Sequence, residues 1–208
     1  MKRTDPQHPC PLDPARLVED HFALERRALL LGPSGSGKTT LARSLAGTLG
    51  ALGRSVRCLG ADPGIPGLGV PGALCLADWE GDGWSVRAME ALCTLDAARF
   101  RLPLVAAARA LADSVGTGNL LVDAPGVVRG VAGAELLEAL VHAARVDLIL
   151  VLHRPGQAAP LAGELQALGS QVVWVRPSEQ ARRPGAAARS RQRTRLWDGY
   201  LEGGEVQT

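Results

Sequence analysis

Apolar residues recur along the chain in two spacings, short continuous runs and helical repeats. The continuous runs predict strands, because a strand covered on both faces of a sheet is apolar at every position. The predicted strands are Ala28–Leu31, Ser55–Leu59, Asn119–Val122, Asp147–Leu152 and Gln171–Val175. Apolar residues three or four positions apart predict helices instead. The predicted helices are Thr39–Leu52, Leu102–Val115, Ala134–Arg145, Pro160–Leu168 and Ala186–Leu201.

The alternation of strands and helices predicts right-handed βαβ units. We therefore expect an α/β fold with a mostly parallel sheet and helices on both of its faces. Two segments rich in glycine and proline interrupt the pattern. Residues 62–72 are expected to form a loop, and residues 177–185 a mobile linker before the last helix. Neither an internal repeat nor a second-domain boundary is visible, so we expect one domain over residues 1–208.

Bulk composition narrows the classes of protein. No apolar run approaches the roughly 20 residues that cross a bilayer, and the first residues carry charge but no hydrophobic stretch. We therefore expect a cytoplasmic protein that does not bind membranes. The four cysteines are far apart and form no CxxC pair, which favours small buried side chains over a zinc site or disulfides. The net charge is only +2, but seven arginines and one acid lie between Arg176 and Arg195, which suits a partner that carries phosphates.

The segment Gly32–Thr39 satisfies the P-loop pattern G-x-x-x-x-G-K-[ST] and lies between a predicted strand and a predicted helix. Its glycines allow backbone amides to turn toward phosphates, and the helix that follows offers its positive end. Lys38 is expected to reach the β- and γ-phosphates, and the hydroxyl of Thr39 to ligate Mg²⁺. We predict that this segment and the next residue bind ATP, which involves Gly32, Pro33, Ser34, Gly35, Ser36, Gly37, Lys38, Thr39 and Thr40.

Two acids follow predicted strands and compete for a second role at the magnesium ion. Asp62 lies shortly after the predicted strand Ser55–Leu59. Asp123 directly follows the apolar run Leu120–Val122, which is the position of a Walker B residue. Both would face the phosphates, because ligands bind at the carboxyl edge of a parallel sheet. The predicted metal ligands are therefore Thr39, Asp62 and Asp123.

Four ordered blocks of the chain resemble the polynucleotide 5′-hydroxyl kinases, which include the kinase subunit of the pre-mRNA cleavage factor and nucleolar rRNA-processing kinases. The first block is the P-loop with its Gly-Pro start. The second is Asp62-Pro63-Gly64 with Val70–Leu76 downstream, similar to the family's D-x-D-x-G-Q and P-P-G. The third is Asp123–Gly130, similar to N-T-x-G-W-[VI]-[KR]-G. The fourth is Arg189–Arg195, which ends at Tyr200-Leu201 and resembles the arginine-rich lid helix.

The resemblance implies a minimal kinase core of P-loop NTPase fold, with an N-terminal extension at 1–27 and a lid region at 177–201. It implies transfer of the γ-phosphate of ATP to the 5′-hydroxyl of single-stranded RNA or DNA, with Mg²⁺ and a role in RNA processing. Lys38 and Asp62 would be catalytic, Asp62 as the base or as a metal ligand. Cis arginines would come from the lid helix, and the candidates are Arg189, Arg191, Arg193 and Arg195. The candidates for contact with the polynucleotide are Arg129, Arg99 and Arg101, and Trp79 and Trp84, in a loop at 78–85, are candidates for stacking on a base.

Three positions depart from the family pattern. Ile65 stands where the family has Gln, Ala124 where it has a Thr that clasps the triphosphate, and Val127 where it has Trp. Two alternatives therefore stay open. One is a P-loop ATPase or GTPase-type switch, since Asp123–Gly126 also matches D-x-P-G, although Leu152-His153-Arg154-Pro155 stands where a GTPase has N-K-x-D. The other is an ATP-binding scaffold without turnover. Protein partners are not predicted.

Overall fold

The computed structural model describes residues 5–202 as a single sheet of seven strands with six helices. In chain order the strands are Arg27–Leu31 (β1), Val56–Gly60 (β2), Ala73–Glu80 (β3), Gly83–Ala91 (β4), Asn119–Asp123 (β5), Leu148–Leu152 (β6) and Gln171–Val175 (β7). The helices are Pro14–His21 (α1), Lys38–Ala51 (α2), Arg101–Asp113 (α3), Gly130–Ala143 (α4), Ala162–Ala167 (α5) and Ala186–Glu202 (α6).

The strand order is β4-β3-β2-β5-β1-β6-β7. The five strands β2, β5, β1, β6 and β7 are parallel to one another, and they are the five strands that the apolar runs predict. The α/β prediction with a mostly parallel sheet is therefore confirmed. Since β1 has a parallel neighbour on each side, the loop that follows it emerges at the middle of the sheet's carboxyl edge.

Alternate residues of the central strands supply two hydrophobic cores, one on each face of the sheet. Leu29 and Leu31 of β1 belong to the core that α3, α4 and α5 cover, whereas Leu30 belongs to the core under α1 and α2. Every residue of β5, β6 and β7 is buried. This burial on both faces explains why these strands carry no alternating polar positions.

The pattern of apolar residues did not predict α1 or the β3–β4 hairpin. α1 has a local signal, because the carboxylate of Asp13 accepts a hydrogen bond from the amide of Arg16 and Pro14 opens the helix. β4 lies at the edge of the sheet, and its side chains are exposed or only half-buried. An edge strand of this kind lacks the apolar periodicity by which strands are predicted.

The expectation that Trp79 and Trp84 lie in a loop and stack on a base is wrong. Both lie in the hairpin, on β3 and β4, with ring centroids 4.9 Å apart, and they pack against the core under α2. A Cβ added at Gly50 of α2 would lie 2.9 Å from Cδ1 of Trp79. Since β3 runs antiparallel to β2, the hairpin turns at the amino edge of the sheet, opposite the P-loop.

Within residues 5–202, no helix has both the length and the apolar character needed to cross a membrane.

Candidate nucleotide and acceptor site

The P-loop lies where the sequence predicts it, between the end of β1 and the start of α2. Gly35 and Gly37 have positive φ values of 78° and 97°, which favour glycine. Gly37 is the residue that precedes the first turn of α2, and Lys38 is the first helical residue. The first amides of a helix have no partner within it, so those of α2 and of the loop before it would be available to an anion.

Lys38 is buried, with a relative exposure of 7%, and its ammonium group stays within the P-loop. Nζ donates to the carbonyl oxygens of Gly32 at 2.9 Å and of Pro33 at 3.3 Å. Burial lowers the pKa of Lys38, while the nearby carboxylates of Asp123 and Asp62 oppose this change. The cation is therefore held by weak acceptors beside two acids, so anionic phosphate oxygens would be stronger partners for it.

Asp123 closes β5 at the middle of the sheet edge, where it is in register with Leu30 of β1 and Gly60 of β2. Its Oδ2 accepts a hydrogen bond of 2.5 Å from Oγ1 of Thr39. Burial raises the pKa of Asp123, and Lys38 and the hydrogen bond from Thr39 oppose this rise. A hydroxyl and a carboxylate at this distance form a pair of hard oxygen donors, which suits Mg²⁺.

Asp62 follows β2 and faces the same space from the neighbouring strand. Its Oδ1 accepts hydrogen bonds from the amides of Gly64 at 2.9 Å and Ile65 at 3.2 Å, which fix the direction of the carboxyl group. Burial raises the pKa of Asp62, and these amides and the charge of Lys38 oppose the rise. The structure thus brings together Lys38, Asp62 and Asp123, as the sequence predicts.

Gly67 packs directly on the Thr39–Asp123 pair. A Cβ added at Gly67 would lie 2.3 Å from Cγ2 of Thr39 and 3.1 Å from Oδ2 of Asp123. The loop 62–72 therefore covers the predicted metal ligands, and it comes this close only because position 67 has no side chain. The sequence shows four glycines in this loop, but it does not show which of them lies against Thr39.

The three departures from the family pattern differ in their surroundings. Ala124 is buried, with a relative exposure of 2%, so its methyl group belongs to the core rather than to the phosphate site. Val127 is half-buried and packs against the same core. Ile65 lies at the site itself, where it lines a cavity with Lys38, Thr39 and Asp62.

Three cavities adjoin the P-loop. The phosphate cavity, of about 300 Å³, is lined by Lys38, Thr39, Thr40, Asp62 and Asp123, among others. The lid cavity, of about 590 Å³, is lined by residues that include Asp62, Ile65, Val127, Arg189 and Arg193. The third, of about 440 Å³, lies beside residues 33–36 and the end of β6. We call it the arginine cavity, after Arg129, Arg154, Arg182 and Arg183, which line it.

Residues 177–185, the lid segment, have no helix or strand, as expected for a linker, but their backbone packs on the P-loop. A Cβ added at Gly35 would lie 2.4 Å from Cα of Arg183 and 2.5 Å from the carbonyl oxygen of Arg182. The guanidinium of Arg154 donates to the carbonyl oxygens of Ser178 at 3.4 Å and Ala181 at 3.0 Å. The segment is thus in contact with both the P-loop and the end of β6, and its mobility stays a prediction.

The predicted lid helix corresponds to α6, none of whose described residues is buried. Arg189 and Arg193, one helical turn apart, are half-exposed and line the lid cavity together with Asp62. Nη1 of Arg189 also donates to the carbonyl oxygen of Pro184 at 2.7 Å. Arg191 and Arg195 are exposed and line none of the three cavities. The helical spacing groups Arg189 with Arg193 and Arg191 with Arg195, but it does not show which pair faces the site. The position of α6 shows that it is the first pair.

Two further arginines at the site were not selected from the sequence. Arg182 lines the phosphate cavity together with Lys38, and Arg183 lines the lid cavity together with Asp62. The high density of arginine between Arg176 and Arg195 is a signal for such a role, but it does not single out these two.

The predicted polynucleotide contacts have different surroundings. Arg129 is exposed at the start of α4 and lines the arginine cavity. Nε of Arg101 is 2.6 Å from Oε2 of Glu135, and this ion pair occupies its guanidinium group. Arg99 is exposed and lines none of the three cavities.

The sequence matches the family profile described as the mRNA cleavage and polyadenylation factor CLP1 P-loop, over residues 32–84 and 102–203. The chain is 28% identical over 210 residues to a polyribonucleotide 5′-hydroxyl-kinase of Thermococcus kodakarensis. The aligned region covers 94% of this chain and 58% of that protein. The chain is 24% identical over 188 residues to a polyribonucleotide 5′-hydroxyl-kinase of Pyrococcus furiosus, over 86% of this chain and 52% of that protein. The chain thus spans somewhat more than half the length of these relatives.

The fold is similar to that of a solved structure of wild-type Clp1p in complex with Pcf11p (454–563). The TM-score is 0.73 at 17% sequence identity, over 93% of this chain and 54% of that chain. The matched part of the sequence includes the P-loop, both acids and the lid helix, which are the elements that form the candidate site. The chain therefore belongs to the CLP1 P-loop family.

Proposed function

We propose that the chain is an ATP-dependent polynucleotide 5′-hydroxyl kinase that transfers the γ-phosphate of ATP to the 5′-hydroxyl of RNA or DNA. The observation that carries the proposal is the position of Asp62, which lines both the phosphate cavity and the lid cavity. A carboxylate at this junction can meet a donor phosphate on one side and an acceptor hydroxyl on the other. The names of the curated relatives support the same activity. The proposal includes a role in processing RNA ends in the cytoplasm.

The P-loop would bind the donor. The amides of residues 34–39 and the positive end of α2 would surround its phosphates. Lys38 would exchange its bonds to the carbonyl oxygens of Gly32 and Pro33 for bonds to the β- and γ-phosphates. The ammonium group would then balance the charge that moves onto the leaving ADP.

The residues at the centre of the site fit Mg²⁺. Thr39 and Asp123 supply a hydroxyl and a carboxylate in contact with each other, and Asp62 supplies a second carboxylate nearby. Mg²⁺ bound there would neutralise phosphate charge and hold the β- and γ-phosphates in a fixed orientation.

Asp62 would act as the base toward the acceptor. The oxygen of the 5′-hydroxyl forms the new bond to the γ-phosphorus, its proton passes to the carboxylate of Asp62, and the bond between the γ-phosphorus and the β–γ bridging oxygen breaks. The amides of Gly64 and Ile65 hold one carboxylate oxygen, Oδ1, so that the orientation of the group is set before the acceptor arrives. The raised pKa that burial causes also suits proton transfer better than that of an exposed carboxylate.

The lid helix would supply positive charge to the transferred group. Of the four predicted arginines, we propose Arg189 and Arg193, because these two line the cavity that contains Asp62. A guanidinium placed in this way stabilises the three equatorial oxygens in the transition state.

An ATP-binding scaffold is the second candidate, and the observation that favours it is the buried methyl group of Ala124. Where the family has a threonine beside the triphosphate, this chain offers no hydroxyl. A protein of this kind would bind ATP through the P-loop without transferring phosphate.

The deciding experiment measures transfer of label from γ-labelled ATP to 5′-hydroxyl RNA and DNA oligonucleotides in the presence of Mg²⁺. The wild type is compared with Lys38→Ala and Asp62→Asn, and Arg16→Gln on the exposed face of α1 is the control. The kinase proposal requires labelled 5′ ends with the wild type and the control, and loss of labelling in both site variants. ATP binding by the wild type without any labelled ends would support the scaffold instead, whereas release of free phosphate would indicate an ATPase.

A further inference from the structure

The arginine cavity lies beside the donor site described above and shares Ser34, Gly35 and Arg182 with the phosphate cavity. It is bounded by the first half of the P-loop, the start of α4, the residues that follow β6 and the lid segment. Its volume of about 440 Å³ exceeds that of the phosphate cavity. Pro33 and Ser36 line the arginine cavity but not the phosphate cavity, whereas Lys38, Thr39 and Thr40 line the phosphate cavity but not the arginine cavity. The phosphates of ATP would therefore leave this space free.

The charge of the cavity is strongly positive. Arg129, Arg154, Arg182 and Arg183 line it, and its lining within residues 5–202 contains neither aspartate nor glutamate. Burial lowers the pKa of His153, which also lines the cavity, so this side chain favours the neutral form. Four guanidinium groups without a compensating carboxylate attract an anion, and they do so most strongly within a concave surface.

A buried hydroxyl is the second feature that indicates a ligand. Ser36 has a relative exposure of 8%, and its Oγ makes no hydrogen bond with any described residue. Since Ser36 lines the cavity, a ligand oxygen there would be a suitable partner. Buried hydroxyl groups in folded proteins nearly always have such a partner, because leaving one unpaired destabilises the folded state.

The arginine cavity adjoins the lid cavity, in which Asp62 would meet the acceptor. Ser34 and Arg183 line both spaces, and Val127 of the lid cavity is followed directly by Val128 of the arginine cavity. A strand with its end beside Asp62 would pass Ser34 and Arg183 to reach Arg129.

We propose that the arginine cavity binds backbone phosphates of the acceptor strand, on the 3′ side of the nucleotide that receives the phosphate. The inference rests on the proposed function and adds to it a track for the substrate. Contacts of this kind are made to phosphates, so they hold the strand without reading its sequence. The site would therefore favour polynucleotides over single nucleosides, and its binding constant would depend strongly on the salt concentration.

Arg129→Gln is the sharpest variant, because the guanidinium of Arg129 makes no hydrogen bond or ion pair with other described residues and lies outside the phosphate cavity. Arg154 is less suitable, since it also holds the lid segment. Arg16→Gln on α1 removes the same charge away from all three cavities and is the matched control. Equilibrium binding is measured by fluorescence anisotropy with a labelled 5′-hydroxyl hexanucleotide and with its methylphosphonate analogue, whose backbone carries no charge.

Arg129→Gln is expected to weaken binding of the charged hexanucleotide by about three- to tenfold, and to lower the slope of log K against log salt by about 0.7, the value for one phosphate contact on a single strand. Binding of the uncharged analogue, and the KM for ATP, should match those of Arg16→Gln. Equal losses for the charged and uncharged strands would overturn the proposal, as would no loss relative to the control. A rise in the KM for ATP alone would assign the cavity to the donor nucleoside instead.

The binding measurement is independent of catalysis, so the two proposals can fail separately. If the wild type labels no 5′ ends but Arg129→Gln still lowers the salt slope, the kinase proposal fails and the phosphate track stands. If the wild type labels 5′ ends with no effect of Arg129→Gln on binding, the kinase proposal stands and the phosphate track fails.

Discussion

The hydroxyl of Thr39 lies 2.5 Å from Oδ2 of Asp123, although 84 positions separate the two residues in the sequence. Thr39 is in the first turn of α2, and Asp123 is the last residue of β5. They meet because β5 is paired in parallel with β1, so the end of β5 lies beside the loop that joins β1 to α2. The predicted metal site is therefore a direct consequence of strand order.

Gly67→Ala should weaken the use of Mg²⁺ and ATP. The new Cβ would overlap Cγ2 of Thr39 and approach Oδ2 of Asp123, so either the loop 62–72 or the Thr39–Asp123 pair must move. We expect the Mg²⁺ concentration for half-maximal activity to rise about tenfold, the lower end of the effect of disturbing the support of a metal ligand. Gly116→Ala is the control, because an added Cβ there meets nothing within 4 Å. Equal Mg²⁺ requirements in the two variants would contradict the role of Gly67.

Gly35→Ala should release the lid segment from the P-loop. The added Cβ would lie 2.4 Å from Cα of Arg183, which leaves no room for the backbone that crosses there. We expect faster cleavage by trypsin after Arg182 in the nucleotide-free protein, since Pro184 protects the bond after Arg183. Gly81→Ala has a similar positive φ but open space around the new Cβ, so it separates backbone strain, of order 1 kcal/mol, from the loss of the lid contact. The same cleavage rate in both variants would mean that Gly35 does not hold the lid.

Asp123→Asn should stabilise the protein without ligands while it abolishes activity. Burial raises the folded-state pKa of Asp123 above 3.8, the ordinary value of an exposed aspartate. The ionised carboxylate therefore disfavours folding at every pH above that raised pKa, and the penalty disappears as the pH falls below 3.8. A higher Tm is expected for the variant at neutral pH, by about 2–4 °C for each kcal/mol gained. The difference from the wild type should shrink on acidification.

Differential scanning calorimetry between pH 3 and pH 8 measures this effect. Asp82→Asn is the control, since Asp82 is exposed in the turn of the β3–β4 hairpin. A Tm difference for Asp123→Asn that grows as the pH falls would have the wrong sign and would contradict the prediction.

The activity of the wild type should increase with pH as Asp62 loses its proton. The base is active only as a carboxylate, and burial raises its pKa above 3.8, so kcat/KM is expected to fall as the pH drops through that raised value. Asp62→Asn should lose this acidic limb together with most of its rate. If the limb persists in the residual activity of Asp62→Asn, another group is the base.

The lid arginines should separate into two pairs. Arg189→Ala combined with Arg193→Ala is expected to lower kcat about a thousandfold, the scale found for arginines that contact the transferred phosphate. Arg191→Ala combined with Arg195→Ala removes the same charge from the exposed side of α6 and should change kcat by less than about threefold. Similar losses in the two double variants would show that the charge of the helix matters rather than contact with the phosphate.

The local sequence determined the parts of the site that depend on short-range chemistry. The P-loop pattern locates Lys38 and Thr39, because the amide cradle and the helix start require glycines and a lysine at fixed spacing. The five parallel strands are apolar at almost every position, so they and the acids at their ends were predictable. Asp62 and Asp123 follow from that pattern together with the rule that ligands bind at the carboxyl edge.

The tertiary structure decided what depends on contacts between distant segments. Arg189 and Arg191 are indistinguishable by composition, and only the docking of the lid segment on Gly35 turns the face with Arg189 and Arg193 toward Asp62. Gly67 likewise differs from its neighbouring glycines only because Thr39 lies against it. Sequence periodicity reports which residues are buried within one helix or strand. It carries no information about which exposed side chains two separate segments bring to the same cavity.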